Sequence, residues 1–294
     1  MDLACLKTLL RTSRPRFWPY VAGPYLLAIT PLLLSSPTAL QRLFALVWGV
    51  WLLFPGNLFL YGINDLNDEA TDALNAKKDG YEARLTNATR RTISLGVYGS
   101  IVLGLLLTLL TIVAFPGHWP WIIAGSVGFL LLGGQYSAAP LRLKARPGLD
   151  SLSNALYIFP VFLAWGLSQP STAFPWMLFF AGASWCAAMH AFSAVPDIRA
   201  DREAGLQTIA TKLGAGGTIL LCAALYALAA GLASAWLGVA TLVVASIYVG
   251  LMLCAWIARH REQDLFLVYR VFPWVNTFVG FGLWITTLLM NQGH

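Results

Sequence analysis

The sequence predicts an all-α, polytopic membrane protein with nine transmembrane helices and a cytoplasmic N-terminus. Three observations carry that prediction: an apolar composition, nine apolar runs, and charges confined to alternate connections. Of 294 residues, 58% are hydrophobic and 11% are charged, against roughly 25% charged in a soluble domain. Mean hydropathy is +0.67. These values exclude a soluble globular domain and a disordered chain. An outer-membrane barrel is excluded too, because its strands alternate apolar and polar residues.

The runs lie near residues 17–35, 43–62, 93–115, 121–136, 152–168, 174–194, 217–236, 238–258 and 271–290. Most approach the roughly 20 residues that a spanning helix needs. Breaks fall at Ser35-Ser36-Pro37, Pro116-Gly117, Gln169-Pro170-Ser171 and Gly214-Ala215-Gly216-Gly217. The first run lacks a convincing small-x-small cleavage site and is expected to stay as a span. Of the 19 Lys and Arg residues, all but Arg42 fall on alternate connections. The positive-inside rule puts those connections in the cytoplasm and, with nine spans, the C-terminus outside. All 13 Asp and Glu residues share that side. One face of the membrane is therefore densely charged and the other nearly bare, which marks the cytoplasmic face as the working surface. The four cysteines form no CxxC pair and read as packing residues.

Two acidic clusters stand out. The first, Asn64-Asp65-Leu66-Asn67-Asp68-Glu69-Ala70-Thr71-Asp72, follows the second run. Helical steps of three and four residues align Asn57, Tyr61, Asn64, Asp68 and Asp72 in one polar stripe, with Asp65 beside it. The second, Asp197-Ile198-Arg199-Ala200-Asp201-Arg202-Glu203, follows the sixth run. Asp197 and Asp201 share a face, and the spacing places His190 on it two turns deeper. The clusters form a weak internal repeat, as if two half-bundles each presented an Asp-rich helix end at one mouth.

Carboxylates at this spacing repel one another by a few tenths of a kcal/mol per pair, so something must offset them. Neighbouring lysines would do so in a solvated charge run. Mg²⁺ would do so better, since it takes oxygen ligands and is usually held by one or two carboxylates plus substrate phosphates. The pairing of two clusters at matched positions favours metal and diphosphate. Lys77, Lys78, Arg142, Lys144, Arg146, Arg199 and Arg202 supply phosphate-binding cations nearby, although positive-inside connections are basic in any case. A membrane cavity with Mg²⁺ and a diphosphate fits ionisation of an allylic diphosphate, with the cation shielded from water. His190 is either a base or a packed polar contact; Asn57 and Tyr61 are candidates to line the cavity.

The motifs Asn64-Asp65-x-x-Asp68-x-x-x-Asp72, Asp197-x-x-x-Asp201 and Tyr136-Ser-Ala-Ala-Pro140-Leu-Arg142-Leu-Lys144 together resemble those of the UbiA-type intramembrane prenyltransferases. The resemblance covers nearly the whole chain and implies one transmembrane prenyltransferase domain over 1–294, nine helices around a central cavity, and Mg²⁺ as cofactor. It implies that Asp68, Asp72, Asp197 and Asp201 are catalytic, and that these four with Asn64 and Asp65 bind metal. Tyr136, Arg142, Lys144, Lys78 and Arg199 would bind diphosphate. The tyrosine motif departs from the quinone-type members, in which Lys follows Tyr by four residues; here position 140 is Pro.

Longer stretches resemble the lycopene elongases of C50 carotenoid synthesis within that family. They include Phe54-Pro-Gly-Asn-Leu-Phe-Leu-Tyr-Gly-Ile-Asn64, Leu149-Asp-Ser-Leu-Ser-Asn-Ala-Leu-Tyr157 and Met189-His-Ala-Phe-Ser-Ala-Val-Pro-Asp197. That group adds dimethylallyl units to lycopene, and some members add water. The implied partners are an allylic prenyl diphosphate, a lipophilic acceptor such as lycopene, and membrane lipid, with no nucleic acid. The expected location is the cell membrane, with the site opening to the cytoplasm. Another acceptor (a chlorophyll precursor, an aromatic acid or a glycerophosphate lipid) stays open. A cation-coupled transporter is the alternative of a different class, but transporters place ionisable groups near the midplane.

Overall fold

A computed structural model describes residues 3–68, 85–170 and 172–292. Among the described residues the structure is helical, with no strand. Eight helical stretches are long and apolar enough to cross a membrane: Pro15–Leu34, Ala39–Asn67, Asn87–Ala114, Leu149–Ser168, Trp176–Glu203, Ile209–Leu237, Val239–Ala258 and Glu262–Met290. They take up eight of the nine apolar runs. The remaining run, 121–136, forms a helix of its own, Trp119–Ser137, whose apolar character is diluted by Trp119, Pro120, Trp121 and Gln135.

The chain packs as two compact units. One comprises Met1–Leu141, Phe159–Ala173 and Trp284–His294; the other comprises Arg142–Ile158 and Phe174–Leu283. Each unit carries one acidic motif. The basic segment from Arg142 to Arg146 belongs with the second motif.

In the first unit, α1 (Leu3–Thr12) and a turn at Pro15–Phe17 lead into α2 (Trp18–Leu34). Helix α3 (Ala39–Leu53) opens with a capping box between Thr38 and Gln41, which satisfies otherwise orphaned N–H groups. Pro55 has no N–H to continue the ladder, so a new helix, α4 (Pro55–Asn67), starts there, with Phe54 at φ −112° and ψ −64°. Asn57 repairs the break. Its Nδ2 donates to the carbonyls of Leu52 at 2.8 Å and Leu53 at 3.0 Å. Helix α5 (Asn87–Ala114) packs on α4. Trp48 and Trp51 are buried between α3 and α5, and their indole N–H groups donate to Thr111 Oγ1 at 3.0 Å and the Ser100 carbonyl at 3.2 Å. Helix α6 (Trp119–Ser137) follows. A Cβ on Gly125 of α6 would come within 2.5 Å of the Leu163 backbone nitrogen, a close approach of the kind small residues permit between membrane helices.

The fifth run, 152–168, is not one helix. It consists of α7 (Leu149–Leu152), a tight turn at Ser153–Tyr157 and, after Pro160 restarts the ladder, α8 (Pro160–Ser168). Helix α7 and the turn lie in the second unit and α8 in the first.

In the second unit, α9 (Trp176–Ser193) packs closely on α11 (Ile209–Leu237), and α11 on α12 (Val239–Ala258). Between α9 and α11 come a turn at Val195–Asp197 and α10 (Ile198–Glu203). The last helix is α13 (Glu262–Gln292). On α5 and α12, residues such as Leu106, Leu109, Val113, Leu242 and Leu253 are exposed. Such apolar exposure suits contact with lipid.

Candidate active site

The first acidic motif occupies the end of α4. Asp68 caps the helix at φ −112° and is buried, with 6% exposure. Asp65 is buried as well. Its Oδ1 receives Arg14 Nη2 at 2.7 Å. Arg14 adopts a left-handed conformation, φ 50° and ψ 71°, and its guanidinium lies 4.8 Å from the centre of the Tyr61 ring. Tyr61 in turn packs against Phe17, ring centres 5.8 Å apart. Arg14 is therefore held by a carboxylate and an aromatic face together.

Asn64 Oδ1 accepts a hydrogen bond from Ser137 Oγ at 2.7 Å. Ser137 is the last residue of α6 and follows Tyr136. The bond fixes the orientation of the Asn64 amide and leaves its oxygen a second lone pair. Deeper on α4, Asn57 is fully buried. Its amide nitrogen is used at the Pro55 break, while its Oδ1 has no hydrogen-bond partner. Asn57, Tyr61 and Asn64 thus lie on α4, with Asp68 at its C-cap. Asp72 and Lys78 lie outside the described residues.

The second motif is built differently. Helix α9 ends at Ser193, and Pro196 separates it from α10. The seven-residue spacing therefore does not put His190 and Asp197 on one continuous helix face, because a proline inside a helix removes a ladder hydrogen bond. Asp197 sits at the N-cap of α10 and Asp201 in its first turn. Both residues are half-buried. Gly205, at φ 68°, closes the turn after α10, and the Leu206 N–H donates to the Asp201 carbonyl at 2.8 Å. Thr208, at the N-cap of α11, contacts Asp201 Oδ2 at 3.5 Å.

His190 Nδ1 meets Ser151 Oγ at 3.3 Å. In the basic segment, Arg142 is left-handed at φ 42° and half-buried, while Lys144 is buried, with 8% exposure. Lysine is seldom buried, so Lys144 stands out among the basic residues. Arg199 is 77% exposed and donates through Nε to Glu203 at 3.1 Å. It forms a surface ion pair. Tyr136 is half-buried on the last turn of α6.

Spacing alone did not single out Arg14, Ser137, Asp150 or Ser151. Ser137 sits inside the tyrosine motif, which was a usable signal. Asp150 lies outside both clusters, on the connection just before the fifth run, and no spacing ties it to either motif.

The UbiA prenyltransferase family matches residues 17–279. The chain belongs to that family. It is therefore an intramembrane prenyltransferase, and the resemblance found in its motifs is confirmed. It is 37% identical over 286 residues to a lycopene elongase/hydratase of Halobacterium salinarum, covering 92% of this chain and 95% of that protein. It is 39% identical over 273 residues to a lycopene elongase/hydratase of Haloferax volcanii, covering 91% and 84%. Among solved structures, it matches a UbiA homologue from Archaeoglobus fulgidus bound to GPP and Mg²⁺, with a TM-score of 0.65, 20% identity and coverage of 97% and 99%. A UbiA homologue from Aeropyrum pernix matches with a TM-score of 0.70, 17% identity and coverage of 93% and 98%. These structures establish the fold.

Proposed function

We propose that this prenyltransferase is a lycopene elongase. It would transfer a dimethylallyl unit from its diphosphate to lycopene, in one domain spanning 1–294. The observation that carries the reading is the 37% and 39% identity to lycopene elongase/hydratases over nearly the whole chain.

The donor atoms suit the chemistry. Among the described residues, no three His, Cys, Asp or Glu side chains converge. Oxygen donors in ones and twos are what Mg²⁺ takes when substrate phosphates and water complete its shell. A relative in the family binds GPP and Mg²⁺, and another structure of it binds DMAPP and Mg²⁺. Bound Mg²⁺ would neutralise the departing diphosphate. Asp68 and Asp72 of the first motif, and Asp197 and Asp201 of the second, supply carboxylates for it. Asn64 adds an amide oxygen whose direction Ser137 sets. Asp65 supports the first motif by holding Arg14. Arg142 and Lys144 bind diphosphate oxygens, with Tyr136 and Lys78 as further contacts; the Glu203 pair leaves Arg199 a lesser part.

In the reaction, the C1–O bond of the allylic diphosphate breaks and the diphosphate keeps the electron pair. The terminal double bond of the acceptor attacks C1 and forms a carbon–carbon bond. The resulting tertiary cation loses a proton, or takes up water and then loses a proton. Tyr61 and its aromatic neighbours shield cationic carbon from solvent. The site opens to the cytoplasm from the cell membrane.

Expression in a bacterial host that accumulates lycopene tests this. Mass spectrometry of the pigments should show additions of one and two C5 units, absent with Asp68→Ala. Extra water per unit would mark a hydratase activity as well. Unchanged lycopene, with the protein present in the membrane, would discard the acceptor.

A further inference from the structure

Asp150 belongs to neither acidic motif, yet it is fully buried in the second unit. Its two carboxylate oxygens accept from two separate stretches of backbone. Oδ1 takes the Gly148 N–H at 2.8 Å, and Oδ2 takes the Ile209 N–H at 2.8 Å. The Asp150 N–H donates to the Arg146 carbonyl at 2.9 Å. Its carbonyl accepts from Asn154 Nδ2 at 2.6 Å. Charge-assisted bonds of this kind are roughly twice as strong as neutral ones. They are also the condition under which a carboxylate is kept inside a protein.

What the carboxylate joins gives it meaning. On one side is the end of the basic segment that carries Arg142 and Lys144. On the other is Ile209, the first residue of α11, next to Thr208, which contacts Asp201. The neighbouring Ser151 bonds His190, in the helix that leads to Asp197. Consecutive residues 150 and 151 thus brace the chain on both sides of the second motif.

We propose that Asp150 is a positioning residue for diphosphate binding: its carboxylate clamps the basic segment to the start of α11 and so fixes Arg142 and Lys144 relative to Asp197 and Asp201. The proposal rests on the diphosphate reading above. Outer-shell partners of this kind typically change metal-site affinity when removed.

The test uses purified full-length protein titrated with inorganic pyrophosphate in the presence of Mg²⁺, by calorimetry. Asp150→Asn alters the acceptor. Ile209→Pro removes the donor and leaves the buried carboxylate in place. Proline is favoured at a first helical position, and Thr208 is already extended, φ −108° and ψ 167°, as a residue before proline must be. Ile209→Pro therefore serves even if Asp150→Asn does not fold.

Each variant should weaken pyrophosphate binding about tenfold or more and raise KM for dimethylallyl diphosphate more than it lowers kcat. The double variant should bind no more weakly than the weaker single one. A loss of folded protein alone would lower kcat and leave KM unchanged. Asp197→Ala is measured alongside. If it loses binding while folded Ile209→Pro binds like the wild type, or if the two losses add, the clamp is overturned. Wild-type binding by Asp197→Ala would overturn the diphosphate reading itself.

Discussion

Asp65 and Asp68 stand three residues apart in one motif and serve different ends. Asp65 is committed to Arg14 at 2.7 Å, with side-chain exposures of 3% and 12%, whereas Asp68 caps the open end of α4. Asp68→Ala and Asp197→Ala should each abolish turnover while the protein still inserts, read as pigment analysis beside membrane-fraction yield. Arg14→Ala should instead destabilise the fold, by about 3–5 kcal/mol, because it strands a buried charge. Adding Asp65→Asn should recover part of the lost thermal midpoint, since the charge goes with its partner. Failure to recover any would mean that Arg14 does not stabilise the fold through Asp65. The motif itself was legible in the sequence, because its residues recur at helical spacing. The Arg14 pair was not, because it closes over 51 residues and no local period reports it. Ser137 and Asn64 illustrate the same limit, at a separation of 73 residues.

Apolar runs and helices agree at the scale of single elements wherever a run stays free of proline. The runs at 93–115 and 238–258 lie almost wholly within α5 and α12. The exceptions follow from residues that interrupt the backbone ladder. Pro55 splits the second run into α3 and α4, and Asn57 covers the carbonyls this exposes. Asn57→Ala should therefore lower stability, by about 1–3 kcal/mol for each buried carbonyl left unpaired, and thermal unfolding in detergent reads it. Pro160 interrupts the fifth run, and Pro196 breaks the stretch in which spacing placed His190 above Asp197. Packing between elements is less visible still. Gly125 looks like any glycine in an apolar run, but an added Cβ meets the Leu163 backbone at 2.5 Å. Backbone cannot swing aside as a flexible side chain can, so Gly125→Ala should force α6 and α8 apart and cost about 1–3 kcal/mol. Gly23, with nothing within 4 Å of its added Cβ, is the matched control and should tolerate alanine.

For the molecule as a whole, charge distribution and span count are one problem. The sequence predicts nine crossings from runs and charges together, while eight stretches meet the length and hydropathy of a span among the described residues. The difference rests on α6, whose two tryptophans, proline and glutamine make it less apolar than its neighbours. Its role decides whether the connection at 35–38 and the connection at 204–208 lie on opposite faces. With α6 crossing, five spans separate them, and they face opposite ways. Without it there are four, and they share a face. Arg199, Arg202 and Lys212 surround the later connection, whereas Arg42 alone lies near the earlier one, so the positive-inside rule favours opposite faces with 204–208 in the cytoplasm. Cysteine labelling settles this. Cys186 and Cys222 are buried and inert to reagent, so only Cys5 and Cys254 need replacement. Ser36→Cys and Gln207→Cys then report the two connections, both at exposed positions. A membrane-impermeant maleimide should label Ser36→Cys in intact cells and Gln207→Cys only after permeabilisation. The reverse pattern would move the acidic motifs to the outer face. Labelling of both from one side would take α6 out of the set of crossing helices.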